Sequence, residues 1–86
     1  MQPHVRNYFK AFGYDESSVI LCEFCKSADG VEIHHVEPRS SFGSKRKEEQ
    51  DGVNNLVALC RLHHEQAHGP SSREWKRLLK FLIEKR

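Results

Sequence analysis

Two pairs of potential metal ligands constrain the fold of this 86-residue chain more than any other feature. The first pair, Cys22 and Cys25, has the spacing C-x-x-C, and the second, Cys60 and His63, has the spacing C-x-x-H. Three thiolates and one imidazole in two chelating pairs match a closed structural zinc site in ligand type and spacing. A redox C-x-x-C motif or buried thiols would be the alternative. We favour zinc because the second pair stands at the start of a predicted helix.

The chain has little material for a hydrophobic core. It contains one Trp, two Tyr and five Phe. Structural zinc contributes roughly 10–16 kcal/mol of apparent binding free energy in finger-like peptides, which is comparable with the whole stability of a small domain. We therefore expect a single domain over residues 1–86 that depends on zinc for folding.

Charge and cysteine content narrow the class of protein only slightly. The net charge is +2 and the sequence pI is about 8.5, a mild surplus that is compatible with a polyanionic partner but does not establish one. Three cysteines cannot all pair as disulfides, and the chain has neither a charged-then-apolar leader nor a long apolar run. These features predict a cytoplasmic protein without a membrane segment.

Apolar periodicity predicts a helix at each end of the chain. Val5, Tyr8, Phe9 and Phe12 share one helical face, so we expect a helix over about residues 3–12 that only covers the core. His4 belongs to no motif, and we expect it to be exposed. Near the other end, the capping-box pattern S-S-R-E precedes an apolar stripe that predicts a helix over about residues 72–85. The stripe comprises Trp75, Leu78, Leu79, Leu82 and Ile83.

Two strands and a further helix are predicted between these terminal helices. Residues 31–36 alternate and are rich in branched side chains, and Pro38 limits their extension, which predicts a strand. Residues 56–59 form a second short apolar run. Cys60 then opens a helix that Gly69 and Pro70 end, whereas the charged residues 38–52 predict a loop. The predicted fold class is α+β.

A second set of possible ligands, rich in imidazole, lies between the two ligand pairs and directly after the second pair. His64 and His68 are one helical turn apart, so both side chains can bind one ion. His34 would complete a three-imidazole set that leaves metal positions open for water and phosphate oxygens. His35 would then be free for proton transfer. Because neighbours on a regular strand point to opposite faces, we expect the strand to twist or end near Pro38.

The stretch from Cys22 to about Gly69 resembles the HNH nuclease family. The segments I-H-H-V-E-P-R-S and N-N-L-V-A-L-C-R-L-H-H-E-Q-A-H-G are similar to that family's strand, loop, strand and helix, the ββα-metal fold, here with a treble-clef-like zinc knuckle. The signature positions would be His35, Asn55 and His64.

Two further comparisons refine this resemblance. His34 and His68 make the histidine set similar to that of the colicin DNases, which have a three-histidine metal site but no cysteine pairs. The family usually carries a fourth cysteine where this chain has His63. Histidine is an acceptable zinc ligand, but the change leaves the roles of His63 and His64 open to exchange.

The resemblance implies a metal-dependent DNA endonuclease. His35 would act as the general base, and a divalent metal held by His34, His64 and His68 would contact the scissile phosphate and stabilise the leaving 3′ oxygen. Asn55 would orient the first strand. Products would carry 5′-phosphate and 3′-hydroxyl ends, and the metal would be Mg²⁺, Mn²⁺ or Ni²⁺.

Basic side chains other than the signature residues are candidates for phosphate contacts. Those on the polar face of the last helix are Arg73, Lys76, Arg77 and Lys80, and those in the loop are Arg39, Lys45, Arg46 and Lys47. A solvated surface is the ordinary alternative for the helix. No base-reading module is recognisable, so we expect weak sequence specificity and, because a monomer has one active site, nicking.

Two other functions remain open from the sequence. A non-catalytic zinc-knuckle module that binds nucleic acid or protein would explain the four predicted zinc ligands. It would not explain the other histidines of the motif, which are His34, His35, His64 and His68. An enzyme that works only with a partner protein, in a phage packaging or restriction complex, would explain both. The resemblance to small stand-alone HNH proteins places the chain in a bacterial cell or a phage-infected host.

Overall fold

A computed structural model describes residues 2–38 and 50–86 of the chain. Its elements are helix α1 (Pro3–Phe12), strand β1 (Glu32–His35), strand β2 (Leu56–Leu59), helix α2 (Arg61–Ala67) and helix α3 (Ser72–Lys85). A 3₁₀ turn at Val53–Asn55 leads into β2. The fold is a small α+β domain, as the sequence predicted. Among the described residues, no helix is both long enough and apolar enough to cross a membrane.

The two strands pair antiparallel and form the centre of the fold. The register places His34 opposite Val57 and His35 opposite Leu56. All four residues of β2 are buried, whereas burial along β1 varies from exposed to buried. Both faces of β2 are therefore covered, and the alternation of its side chains divides the core in two.

Each half of the core belongs to a different set of helices. Leu56 and Ala58 pack with Tyr8 of α1, with other apolar side chains around them. Val57 and Leu59 pack with Leu79 of α3 and with other buried side chains. Side chains opposite each other on paired strands share a face. His34 therefore points to the α2 and α3 side, and His35 points to the α1 side.

Helix α1 has the predicted bounds and the predicted end signals. A proline occupies its first turn, and Gly13 ends it with φ 73°, a left-handed conformation, while its N–H donates to the carbonyl of Phe9. Tyr8 is buried, and its hydroxyl donates to Glu23 Oε2 over 2.7 Å. Burial, followed by this hydrogen bond to the carboxylate, raises the pKa of Tyr8.

Helix α3 also has the predicted bounds, but the predicted capping box does not form at its start. Ser71 is the N-cap residue, yet its side chain makes no capping hydrogen bond, because φ −97° and ψ 24° lie outside the extended region that such a cap requires. The apolar stripe is also narrower than predicted. Leu79 is buried, whereas 48% of Leu78 is exposed.

Candidate metal centres and active site

The four residues predicted to bind the structural zinc come together in one cluster. The ligand atoms of Cys22, Cys25, Cys60 and His63 all lie within 4.8 Å of one another. Cys25 Sγ is 3.7 Å from Cys60 Sγ, and Cys60 Sγ is 3.2 Å from His63 Nδ1. Zn–S bonds of about 2.3 Å in a tetrahedron would separate two sulfurs by about 3.8 Å. The cluster therefore fits one zinc ion. His63 belongs to this cluster, whereas its neighbour His64 lies in the group with His34 and His68.

The backbone prepares the first cysteine pair for metal binding. The carbonyl of Cys22 accepts a hydrogen bond from Lys26 N over 2.8 Å, and Lys26 closes the turn in a left-handed conformation with φ 66°. Burial acts to raise the pKa of the Cys22 thiol, but hydrogen bonds with the backbone of Cys60, Cys25 and Phe24 lower it to about 6. At neutral pH the Cys22 thiolate, the form that binds zinc, is therefore favoured.

Three other histidines form a second cluster. The ligand atoms of His34, His64 and His68 lie within 4.8 Å of one another, and the two Nε2 atoms of His64 and His68 are 3.2 Å apart. Two nitrogens bound at about 2.1 Å would be separated by about 3.0–3.4 Å, depending on the coordination geometry. This all-imidazole set fits one divalent ion.

The chemical state of these imidazoles suits metal binding. Burial, followed by repulsion from His64 and His68, lowers the pKa of His34 to about 4. Burial and the neighbouring His68 also lower the pKa of His64. A neutral imidazole is the form that coordinates a metal. His34 is therefore ready to bind at neutral pH without first losing a proton.

Glu32 supports this cluster, and our reading of the sequence missed it. Its Oε2 lies 3.3 Å from His64 Nδ1, which turns Nε2 of the same ring towards His68. A carboxylate on the second nitrogen commonly fixes the orientation of a metal-binding imidazole. The period of two along β1 places Glu32 on the face of His34, and this signal could have identified it.

His35 belongs to a different group of side chains. Its Nε2 is 2.9 Å from Asp51 Oδ1, and its ring centroid is 4.4 Å from that of His4. Only 8% of Asp51 is exposed. The strand ends at His35, which is one of the two outcomes expected near Pro38, and within it His34 and His35 point to opposite faces of a regular pairing with β2. Both nevertheless line one cavity, together with His68.

Two expectations about α1 were wrong. His4 is half-buried rather than exposed, and α1 does more than cover the core, because it places His4 against His35. Burial, followed by repulsion from His35, lowers the pKa of His4, although Asp51 and a hydrogen bond with the Ile33 backbone act in the opposite direction. No spacing rule connects His4 or Asp51 with His35, so the sequence alone carried no signal for this group.

Asn55 joins two segments of the main chain. Its Oδ1 accepts a hydrogen bond from Glu37 N over 2.8 Å, and its Nδ2 donates to the carbonyls of Glu37 and Gln50 over 3.2 and 2.8 Å. Its side chain is buried, and its own carbonyl accepts from Val36 N over 2.9 Å. These bonds hold the chain immediately after His35 against the segment that leads into β2.

The proposed DNA contacts on α3 fall into two groups. Lys76 and Lys80 lie 3.5 and 2.6 Å from carboxylate oxygens of Glu37, and the bond with Lys80 is the main cause that lowers the pKa of Glu37. Arg73 and Arg77 are exposed, and neither forms an ion pair within residues 2–38 and 50–86. The remaining candidates, Arg39, Lys45, Arg46 and Lys47, lie outside the described residues.

Comparison with known proteins agrees with this arrangement. A family model described as HNH endonuclease matches residues 22–69, which is more than half of the chain and includes both clusters of candidate ligands. Neither the curated proteins nor the solved structures gave a significant match. An HNH domain indicates a nuclease, with nucleic acid as substrate and a divalent metal as cofactor. The chain therefore belongs to the HNH endonuclease family.

Proposed function

We propose that this protein is a metal-dependent DNA endonuclease in which His34, His64 and His68 hold the divalent metal and His35 is the general base. One observation carries the proposal. A single cavity is lined by His34 and His68 from the candidate ligand set and by His35 from outside that set. A metal and a proton acceptor would thus act on the same phosphate.

The side chains around this cavity have complementary roles in the proposed reaction. When bound, the metal would neutralise charge on the scissile phosphate and stabilise the leaving 3′ oxygen. His35 takes a proton from the attacking water through Nδ1, since Nε2 already contacts Asp51. Lys76 also lines the cavity, although Glu37 offsets part of its positive charge. Cleavage leaves 5′-phosphate and 3′-hydroxyl ends.

Two features of the ligand set narrow the proposal further. Three imidazole nitrogens suit Ni²⁺ and other transition metals better than Mg²⁺, which prefers oxygen ligands. We therefore propose that Mn²⁺ or Ni²⁺ supports faster cleavage than Mg²⁺. The described residues hold one such set, which favours nicking by a monomer, and the structural zinc at the cysteine cluster is distinct from the metal of the reaction.

Plasmid relaxation tests this function. Zinc-loaded protein is dialysed against a weak chelator, after which Mg²⁺, Mn²⁺ or Ni²⁺ is added to supercoiled plasmid. We expect wild-type protein to produce open circles only with added metal, His35→Ala to be inactive although folded by circular dichroism, and Gln66→Ala, at an exposed position on α2, to behave as wild type.

The same assay separates the alternatives. Linear product at early times would indicate cleavage of both strands, and preferential cleavage of a structured RNA would change the substrate class. If wild-type protein and His35→Ala bind DNA equally, stay folded and leave every substrate intact with each metal, the endonuclease proposal fails. The non-catalytic zinc module would then explain the fold, unless adding a partner protein restored cleavage.

A further inference from the structure

We propose that Asp51 is a positioning residue that holds His35 in one orientation and one tautomer, so that Nδ1 of the imidazole faces the substrate as a proton acceptor. This inference rests on the proposed function, because it assumes that His35 is the base. The observation that motivates it is the 2.9 Å contact between Asp51 Oδ1 and His35 Nε2. Asp51 lies outside the four positions of the cysteine cluster and the three of the histidine cluster.

The chemistry of the contact fixes where the imidazole proton lies. An ionised carboxylate only accepts hydrogen bonds, so His35 Nε2 must carry the hydrogen. In a neutral imidazole the other nitrogen, Nδ1, then has the free lone pair. When Nδ1 takes a proton from water, the ring becomes positive beside a negative carboxylate, which stabilises the product of that step.

Burial makes this contact more than a surface ion pair. The side chain of Asp51 is 11% exposed and that of His35 is 26% exposed. A carboxylate with so little access to water is costly unless it is hydrogen-bonded, which favours an imidazole that keeps its Nε2–H directed at Asp51.

Helix α1 completes the arrangement, although it lies outside the family match at residues 22–69. Asn7 Nδ2 donates to the backbone carbonyl of Asp51 over 2.8 Å, so α1 holds the main chain of Asp51. The ring of His4 lies 4.4 Å from that of His35, with an angle of 43° between their planes, and limits its rotation. The N-terminal helix therefore takes part in the active site.

The side chains of His4, His35 and Asp51 also allow a different arrangement, a metal site, which the test must distinguish from the proposed contact. His4, His35 and Asp51 present ligand atoms within 4.8 Å of one another, so they could hold a metal ion. A metal on His35 Nε2 would replace the hydrogen that the proposed tautomer requires. The two arrangements are therefore mutually exclusive, and they differ in the nitrogen NMR spectrum of His35.

Substitution of Asp51 provides the kinetic test. Asp51→Asn keeps the shape, but its amide can donate to Nε2 and thereby place the hydrogen on Nδ1. We expect kcat to fall by about 100- to 10,000-fold with little change in KM, as in other enzymes whose histidine loses a carboxylate partner in this way. Asp51→Glu should restore part of the activity. Glu16→Gln, which removes an exposed carboxylate, should leave both constants unchanged.

A spectroscopic measurement decides the inference independently of cleavage. Long-range ¹H–¹⁵N spectra of histidine-labelled, zinc-loaded protein identify which nitrogen of His35 carries hydrogen. We expect the Nε2–H tautomer in the wild type and the Nδ1–H tautomer in Asp51→Asn. The inference is overturned if the wild type shows Nδ1–H, if the substitution leaves the tautomer unchanged, or if added Zn²⁺ or Ni²⁺ binds His35 at Nε2.

The two measurements also separate this inference from the proposed function. If no protein cleaves DNA but the tautomers are as expected, the positioning contact stands and the endonuclease proposal fails. If wild-type protein cleaves and Asp51→Asn cleaves equally fast, the endonuclease proposal stands and the positioning role is wrong.

Discussion

The amide of Asn55 shows how one side chain can determine the shape of the site without reaching the cavity. It makes three hydrogen bonds to main-chain groups of Glu37 and Gln50, all on the two segments that flank the sequence between the strands. An amide is needed because it accepts from one segment and donates to both. Glutamine would carry the same groups on a longer side chain, for which a position that is 7% exposed has little space.

Asn55→Ala should therefore lower stability as well as activity. We expect a loss of about 2–3 kcal/mol in the free energy of unfolding, because main-chain groups of Glu37 and Gln50 lose their partners in a buried position. Asn55→Asp should be at least as damaging, since a carboxylate would face two carbonyl oxygens. Urea unfolding of the zinc-loaded proteins measures both. Asn54→Ala, at the exposed neighbour, should change stability by less than about 0.5 kcal/mol.

At the scale of elements, the sequence predicted the helices and strands well because their signals are local. Proline and glycine marked the ends of α1, and apolar periodicity predicted the helix that is observed as α3. The His34, His64 and His68 set was also foreseeable, since helical spacing joins two members and the strand supplies the third. The capping box did not form, because the backbone conformation of Ser71 depends on the turn before it and not only on the four-residue pattern S-S-R-E.

Contacts between elements explain what the sequence could not reveal. His35 and Asp51 are 16 residues apart, and their meeting depends on the register of β1 with β2 and on the position of α1. The face that each histidine occupies follows from pairing with Leu56 or Val57, which strand propensity does not specify. The same pairing separates His34 from His35 while both reach one cavity.

The ion pairs of α3 lead to a prediction about DNA binding. Glu37 neutralises part of the charge of Lys76 and Lys80, whereas Arg73 and Arg77 form no ion pair with another described residue. We expect Arg73→Ala with Arg77→Ala to weaken duplex binding more than Lys76→Ala with Lys80→Ala. Each lost phosphate contact should reduce, by about 0.9, the magnitude of the slope of the logarithm of the DNA-binding constant against the logarithm of the salt concentration.

Fluorescence anisotropy with a labelled duplex at several salt concentrations measures these slopes. Glu37→Gln is the matched control for the ion pairs, because it frees both lysines and should strengthen binding at low salt. Equal weakening by the two double substitutions would show that Glu37 does not hold the lysines away from DNA. No weakening by either would show that the face is a solvated surface.

At the scale of the whole molecule, the cysteine cluster is the link between distant parts of the chain. Cys22 and His63 are 41 residues apart, and Cys25 and Cys60 are 35 apart. The turn that carries the first pair lies between α1 and β1, while Cys60 caps the start of α2. One zinc ion would thus hold the sheet, α2 and the chain before β1 together.

Removal of this zinc should unfold the protein rather than inactivate a folded one, because the binding free energy of a structural zinc, roughly 10–16 kcal/mol, matches or exceeds the total stability of a small domain. Cys25→Ser tests this with the least disturbance of packing, since Cys25 is exposed whereas Cys22 and Cys60 are buried. We expect one tightly held zinc per wild-type chain by elemental analysis, and none, with no cooperative thermal transition, in Cys25→Ser. His63→Cys should keep zinc and fold. A cooperative transition in zinc-free Cys25→Ser would instead mean that the two halves of the core, around Leu56 and around Leu79, hold the fold without the metal.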